Sequence, residues 1–209
     1  MLDLCSICWA TATHRDSQTG ALLCAAHARL VVAGPGQRHT DRQTPPMALR
    51  DLSPADAVAV RAIALAFWGK TDNMLTFGRA YDLLAESGLG VFVSAPTGEE
   101  LAGVLIWTIH QGRGLVVDLS VWPRYQGMGV ASSLLAHLEE RLRSQGIAQL
   151  CLSTTNDNLP ALSFYFQRGF VLERALPGAV AQHHTASGEE GVGIAGIQVR
   201  DELQLVKQL

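Results

Sequence analysis

Val121-Trp122-Pro123-Arg124-Tyr125-Gln126-Gly127-Met128-Gly129-Val130-Ala131-Ser132-Ser133 is the stretch that decides the fold. The residues before it, Leu115-Val116-Val117-Asp118-Leu119-Ser120, are rich in strand formers. After it, apolar side chains recur at Val130, Leu134, Leu135, Leu138 and Leu142, which is helical spacing. The segment therefore reads as strand, tight turn and helix. Pro123 has no N–H to give a ladder and ends the strand. Gly127 and Gly129 allow φ of either sign and a close approach of the backbone to a ligand. The first amides of a helix lack intrahelical partners and sit at the positive end of its dipole. A glycine turn feeding such an end suits a phosphate or pyrophosphate.

The glycines do not form a G-x-G-x-x-G dinucleotide fingerprint, and no Gly-Lys-Ser/Thr follows to make a Walker loop. They fit Q/R-x-x-G-x-G/A, here around Gln126, Gly127, Met128, Gly129, Val130 and Ala131. That pattern resembles the acetyl-CoA-binding motif of the GNAT superfamily of N-acetyltransferases. Further on, Asn158, Ala161, Tyr165, Gly169 and Phe170 fall where the same family carries N-x-x-A-x-x-x-Y-x-x-x-G-F. Two motifs of one family in the right order reinforce each other. The resemblance covers most of Met47–Phe170 and implies an α+β fold, a mixed central β-sheet flanked by helices (GNAT-like acyl-CoA N-acyltransferase fold).

The flanking segments fit that architecture. Met47–Leu52 is a plausible first strand. Ser53-Pro54-Ala55-Asp56 opens a helix with Ser53 as N-cap, Pro54 at the first position and Asp56 at N3. Its expected buried stripe is Val58, Ala59, Ala62, Ile63, Ala66 and Phe67, and Gly69 is its stop. A second helix is expected over Asp72–Glu86. Phe67, Trp68 and Phe77 are candidates to line an acceptor cleft or simply to join the core. Val91–Val93, Leu101–Ile109 and Leu115–Val121 read as strands joined by two short turns, hence an antiparallel meander. One helix then crosses to Leu150–Thr154, which must run parallel to its neighbour, with Cys151 as a core residue. The Gly- and Ala-rich run from Pro177 to Val199 is longer than an ordinary loop, and Leu203–Lys207 gives the last strand.

The resemblance also implies the chemistry. Acetyl-CoA would wedge between Leu115–Val121 and Leu150–Thr154, where the two strands part. Backbone groups near Leu119 and Val121 would meet the pantetheine arm and the thioester carbonyl. The amides from Gln126 through Gly127, Met128, Gly129, Val130, Ala131 and Ser132 would hold the pyrophosphate. Asn158 would bind the pantetheine arm, and it is equally well placed as an N-cap. Tyr165 would protonate the leaving thiolate, a phenol and a thiolate being of comparable basicity. The base is open among Asp118, His110, His183 and His184. Strand alternation puts Asp118 on the face opposite Val117, Leu119 and Val121.

The N-terminal part is of another kind. Cys5-Ser6-Ile7-Cys8 and Cys24-Ala25-Ala26-His27 give C-x2-C and C-x2-H pairs. Three thiolates and an imidazole make a closed tetrahedral zinc set of the structural type. So few residues rarely hold a core without a metal. Ser17-Gln18-Thr19-Gly20 reads as a hairpin turn between the pairs. His14 is a less well placed fourth ligand, and the bland reading makes the cysteines buried apolar residues. We therefore expect a zinc-binding module over 1–33, a Pro- and Gly-rich linker over 34–46, and the GNAT-like domain over 47–209. The module has three open roles: recruiting a protein acceptor, capping the cleft, or mediating homodimerisation.

The chain has 209 residues, 48% of them hydrophobic, enough for one sizeable core and a small appended module. A net charge of −3 argues against a nucleic-acid partner, which calls for a basic face. No apolar run reaches the length of a membrane-spanning helix, and Met1–Cys5 lacks the basic and apolar regions of a signal peptide. The expectation is a cytoplasmic protein with reduced thiols. It would be an N-acetyltransferase that moves acetyl from acetyl-CoA directly to a primary amine of a small molecule or protein. The alternative is a non-catalytic acyl-CoA-binding module that uses its zinc module for partner contact.

Overall fold

The computed structural model describes residues 46–95, 98–181 and 196–209, together with the backbone of 14–15 and 22–23. The proposed zinc ligands Cys5, Cys8, Cys24 and His27, and the candidate bases His183 and His184, lie outside the described residues. A short antiparallel ladder pairs His14 with Leu23 and Arg15 with Leu22. Among the described residues there is no group of three or more metal-ligating side chains. Nor is any described helix long and apolar enough to cross a membrane.

In chain order the elements are β1 (Met47–Asp51), α1 (Ala57–Trp68), β2 (Met74–Thr76), β3 (Arg79–Tyr81), β4 (Ser87–Ala95) and β5 (Gly98–His110). They continue with β6 (Arg113–Val121), α2 (Val130–Ser144), β7 (Gln149–Thr155), α3 (Leu159–Phe166), β8 (Val171–Leu176) and β9 (Glu202–Gln208). Seven strands form one sheet in the order β8-β9-β7-β6-β5-β4-β1. All pairs are antiparallel except β6 with β7, the pair joined by the crossover helix α2. The antiparallel meander β4-β5-β6 and the parallel crossover both agree with the expectation from loop length. Its second tight turn places Gln111 and Gly112 at φ 52° and 76°, the left-handed pair that a two-residue hairpin requires.

Two hydrophobic layers cover the sheet. On one face, α2 contributes Val130, Leu134, Leu135, Leu138 and Leu142, which pack with Leu105, Val116, Val121, Leu152, Tyr165 and Phe170. On the other, α1 contributes Val60, Ile63 and Ala64, which pack with Val104, Ile106, Leu115 and Cys151. Burial pushes the Cys151 thiol up to about 11, so it is an inert core group as expected.

Helix α1 starts as its sequence predicts. Ser53 N and Oγ both donate to Asp56 Oδ2, at 2.8 and 2.7 Å, and Gly69 closes it at φ 68°. The buried stripe is corrected. Ile63 is buried as expected and Ala59 packs beside it, but Val58, Ala62, Ala66 and Phe67 are exposed, and Val60 and Ala64 face the core in their place. The helix is apolar nearly all round, so periodicity alone does not fix its phase. Arg61 does fix it, because Val58, Arg61, Ala62 and Leu65 share the outer face.

The second helix expected over Asp72–Glu86 is also corrected. Met74–Thr76 and Arg79–Tyr81 form a β-hairpin, with Met74 opposite Tyr81 and Thr76 opposite Arg79. Its two-residue loop is Phe77-Gly78, with φ 51° and 69°, a mirror-type turn that overrides the helix-like spacing of Met74, Leu75 and Phe77. Phe77 packs at the hairpin tip against the His110 ring, centroid to centroid 5.9 Å.

Candidate active site

The register of β6 decides the site. It pairs with β5 through Leu105↔Leu119 and Ile106↔Asp118, then shifts so that Trp107 faces Val116. Val117 is thus one extra residue, a β-bulge. The bulge reverses the alternation beyond it. Leu115 and Val117 point to the α1 face, and so does Asp118, whose carboxylate is bonded by Trp68 of α1. The expected placement of Asp118 opposite Val117 is therefore corrected. Its placement opposite Leu119 and Val121 stands, since those two pack on the α2 face.

On its other side β6 pairs with β7 only at Gly114↔Leu150, Leu115↔Cys151 and Val116↔Leu152. Beyond Val116 the two strands separate. Trp122 N donates to Ala102 O at 3.0 Å, so position 122 is a hydrogen-bonded pair with β5. By antiparallel alternation, the backbone groups of Val121 and Leu119 then turn away from β5 and towards the gap. Gln126 Nε2 caps the Val121 carbonyl at 3.0 Å. The Leu119 peptide and the Val121 N–H remain at the gap. Gln126 thus acts through its side chain on the strand end.

The turn after β6 opens towards the same gap. Gly127 and Gly129 lie at φ 77° and 85°, where an L side chain is strained. A Cβ at either would meet no atom within 4 Å, so the space over them is open. The first amide bonded within α2 is Ser133 N, to Gly129 O at 2.9 Å. The amides of Val130, Ala131 and Ser132 are thus the free end of the dipole. Met128 N donates back to Tyr125 O and is a turn amide. Arg168 stands beside this end: its Nη2 donates to Ser132 Oγ at 2.5 Å and its Nη1 to Phe164 O. The guanidinium also stacks 3.6 Å from the Phe164 ring centroid. Sequence reasoning missed Arg168. The signal was a cation just before Gly169-Phe170, at the end of the helix that faces the glycine turn.

Two titratable groups approach from opposite faces of the gap. Asp118 is 3% exposed. Its Oδ1 accepts from Trp68 Nε1 at 3.0 Å and from Ser120 Oγ at 2.7 Å, while Oδ2 has no partner. Burial raises the Asp118 pKa to about 6, against the opposing pull of Ser120, Trp68 and the nearby Leu119 N–H. Asp118 directly precedes Leu119, whose peptide turns towards the gap. Tyr165, on α3, is wedged edge-on between Phe164 and Phe170 at centroid distances of 5.2 and 5.5 Å. Burial, followed by the charge of Asp118, holds its phenol well above the ordinary range. Asn158 caps α3, its Oδ1 accepting from Ala161 N at 3.2 Å. His110 instead accepts or donates at Nδ1 with Tyr81 OH, 3.0 Å away, under the hairpin.

Comparison with known proteins gives the family of the fold. The model of the Acetyltransferase (GNAT) family matches residues 57–170. A relative, uncharacterized protein YxbD of Bacillus subtilis (strain 168), is 31% identical over 151 residues, 72% of this chain and 91% of that protein. The chain belongs to the GNAT acetyltransferase family. As a GNAT enzyme it transfers acetyl from acetyl-CoA to an amine. It is also 29% identical over 103 residues to the streptothricin acetyltransferase of Streptomyces lavendulae, covering 48% of this chain and 54% of that protein. The crystal structure of a Bacillus subtilis acetyltransferase in complex with CoA shares the GNAT fold, with a TM-score of 0.55 and 18% identity. That likeness covers 79% of this chain and 99% of the other.

Proposed function

We propose that acetyl-CoA lies across the sheet with its pyrophosphate on the α2 amides and its thioester in the gap between β6 and β7. The observation that carries this is the parting of the two strands after Val116↔Leu152, directly beside an uncapped helix start. The residues fit the ligand: open space over Gly127 and Gly129, free amides at Val130–Ser132, and the Arg168 guanidinium for a doubly charged group. The Leu119 and Val121 backbone groups and the free end of the Asn158 amide suit the peptide-like pantetheine arm. Acetyl-CoA supplies an activated acyl group and a leaving thiolate.

The remaining roles belong to the chain. Asp118 Oδ2 takes the proton of the attacking amine, since a base near pKa 6 is ionised at neutral pH and still basic enough to accept. The Val121 N–H, which faces the gap, donates to the thioester oxygen as negative charge gathers there. Tyr165, which burial keeps protonated, gives its proton to the departing sulfur. No nucleophile of the chain is needed, so transfer to the amine is direct. The acceptor reaches the gap from the α1 face, because α2 and α3 close the other. The likeness to a streptothricin acetyltransferase supports a small polar amine as acceptor.

The test is heat protection. CoA stabilises the native chain by mass action, so millimolar CoA raises Tm. Arg168→Ala raises the Kd for CoA about tenfold through loss of one charge-assisted contact. Absence of protection in the wild-type chain rejects this placement.

We further propose that Cys5, Cys8, Cys24 and His27 hold one structural zinc, on the chemistry of the donor set alone. Metal analysis of the purified chain then gives one zinc per chain, and Cys5→Ser or Cys24→Ser loses it. A metal-free wild-type preparation ends that proposal.

A further inference from the structure

The two sides of the gap differ chemically. Towards α2 and α3 it is bordered by Leu119, Val121, Tyr165 and Phe170. Towards α1 the borders are polar. Asp118 and Ser120 stand on β6, Thr76 on the β2–β3 hairpin, and Ser153 on β7, with Gln204 and Glu202 on β9.

The register places these groups. Thr76 Oγ1 and Ser153 Oγ are 2.6 Å apart, and Ser153 is the first residue of β7 beyond its last pair with β6. The hairpin edge therefore lies across the point where the strands part. Ser153 faces Gln204 and Thr155 faces Glu202 on β9. Alternation from the buried Cys151 puts all four on the α1 face.

Glu202 is held in place. Its Oε1 accepts from Phe77 N and from Gln204 Nε2, both at 3.1 Å. Phe77 is an aromatic residue at φ 51°, an uncommon conformation for a bulky side chain, and the carboxylate pins that tip. No described cation pairs with Glu202, and its Oε2 is left over. Across the gap, Asp118 Oδ2 is likewise without a partner although nearly fully buried. Two carboxylates, each with one oxygen committed and one unused, thus border the acceptor side from opposite banks.

We infer that Glu202 is a specificity-determining residue that binds a second cationic centre of the acceptor, while the reacting amine meets Asp118. The acceptor class is a small di- or polyamine. This rests on the acetyl-transfer geometry proposed above. β6 and β7 have parted at this point, so β6 and β9 stand farther apart than two ladder spacings, about 10 Å. Each nitrogen approaches its carboxylate to about 3 Å, so the acceptor has to be an extended chain with a cation at each end, and 1,5-diaminopentane is a short probe of that class.

The experiment compares kcat/KM for 1,5-diaminopentane and for pentylamine, which differ by one cation, in the full chain. The wild type prefers the diamine about tenfold, mainly through KM, and added salt lowers that preference as screening predicts. Glu202→Gln keeps an acceptor oxygen for Phe77 N and Gln204, so the hairpin stays docked, yet brings the ratio near one. Glu202→Asp, which keeps the charge, retains part of the preference. A wild-type ratio near one, or a ratio that Glu202→Gln does not change, overturns the assignment while leaving acetyl transfer intact. If neither amine is acetylated although CoA binds, the roles given to Asp118 and Tyr165 fail as well.

Discussion

Asp118→Asn lowers kcat/KM for amine acetylation by about 10²–10³-fold and at the same time makes the chain more stable. Both effects have one cause. The carboxylate is buried with one oxygen unpartnered, which raises its pKa from 3.8 to about 6. The folded chain binds a proton there that the unfolded chain has already released between about pH 4 and pH 6. The stability linked to that proton is fully present below about pH 4 and is lost as pH rises through about 6. At pH 7 the wild type therefore carries the whole cost of an ionised buried carboxylate, of order 1–3 kcal/mol. The isosteric amide keeps an acceptor for Trp68 and Ser120 and carries no charge. Thermal melts of the two chains show an advantage for the variant that grows from pH 4 to pH 6 and then levels off. The wild-type kcat/KM profile has an acid limb centred near pH 6, and the variant lacks it. The facing groups are Trp68 on α1, Ser120 and Leu119 on β6, and Tyr165 on α3. A variant less stable at pH 7.5 and equally active would show that Asp118 is a structural group.

Tyr165→Phe lowers kcat about 10²-fold or more while the KM for acetyl-CoA changes little. The phenyl ring preserves the edge-on packing with Phe164 and Phe170, so the loss isolates the hydroxyl. Its proton is held more firmly than that of a free phenol, through burial and the Asp118 charge, and it remains available across the working range. The role is read by changing the leaving group. An acetyl thioester of a weakly basic thiophenol needs no proton on its sulfur, so with that donor the variant approaches the wild type. An equal loss with both donors would mean that the hydroxyl only positions the acyl group.

These two residues were legible to different degrees. The glycine turn, Asn158 and Tyr165 belong to contiguous motifs whose spacing is set by local geometry, so each is readable from its own stretch of sequence. Asp118 was visible as a carboxylate on the central strand. Its true facing was not, because alternation assumes an unbroken ladder and the extra residue at Val117 breaks it. Bulges arise from pairing between strands, which a single strand's sequence does not encode. The phase of α1 was recoverable from Arg61. An apolar count over Val58–Phe67 outweighed it, because that helix offers few polar markers. The hairpin at 74–81 was hidden by apolar residues at spacings that suit both a helix and a short strand pair, although Gly78 after Phe77 was a turn signal. Glu202 was unreadable, since it reaches the site only through the antiparallel docking of the last strand between β7 and β8.

The limited pairing of β6 with β7 also bears on cooperativity. β7 is tied to β9 along Gln149–Thr155 but to β6 only over Leu150–Leu152. The sheet is mechanically two rafts, β1-β4-β5-β6 and β7-β9-β8, moored at one end. A peptide-like ligand lying in the seam supplies missing rungs to both, so occupancy laces the rafts into one unit. Amide exchange along the inner edges of the seam then becomes a direct gauge of how full the enzyme is.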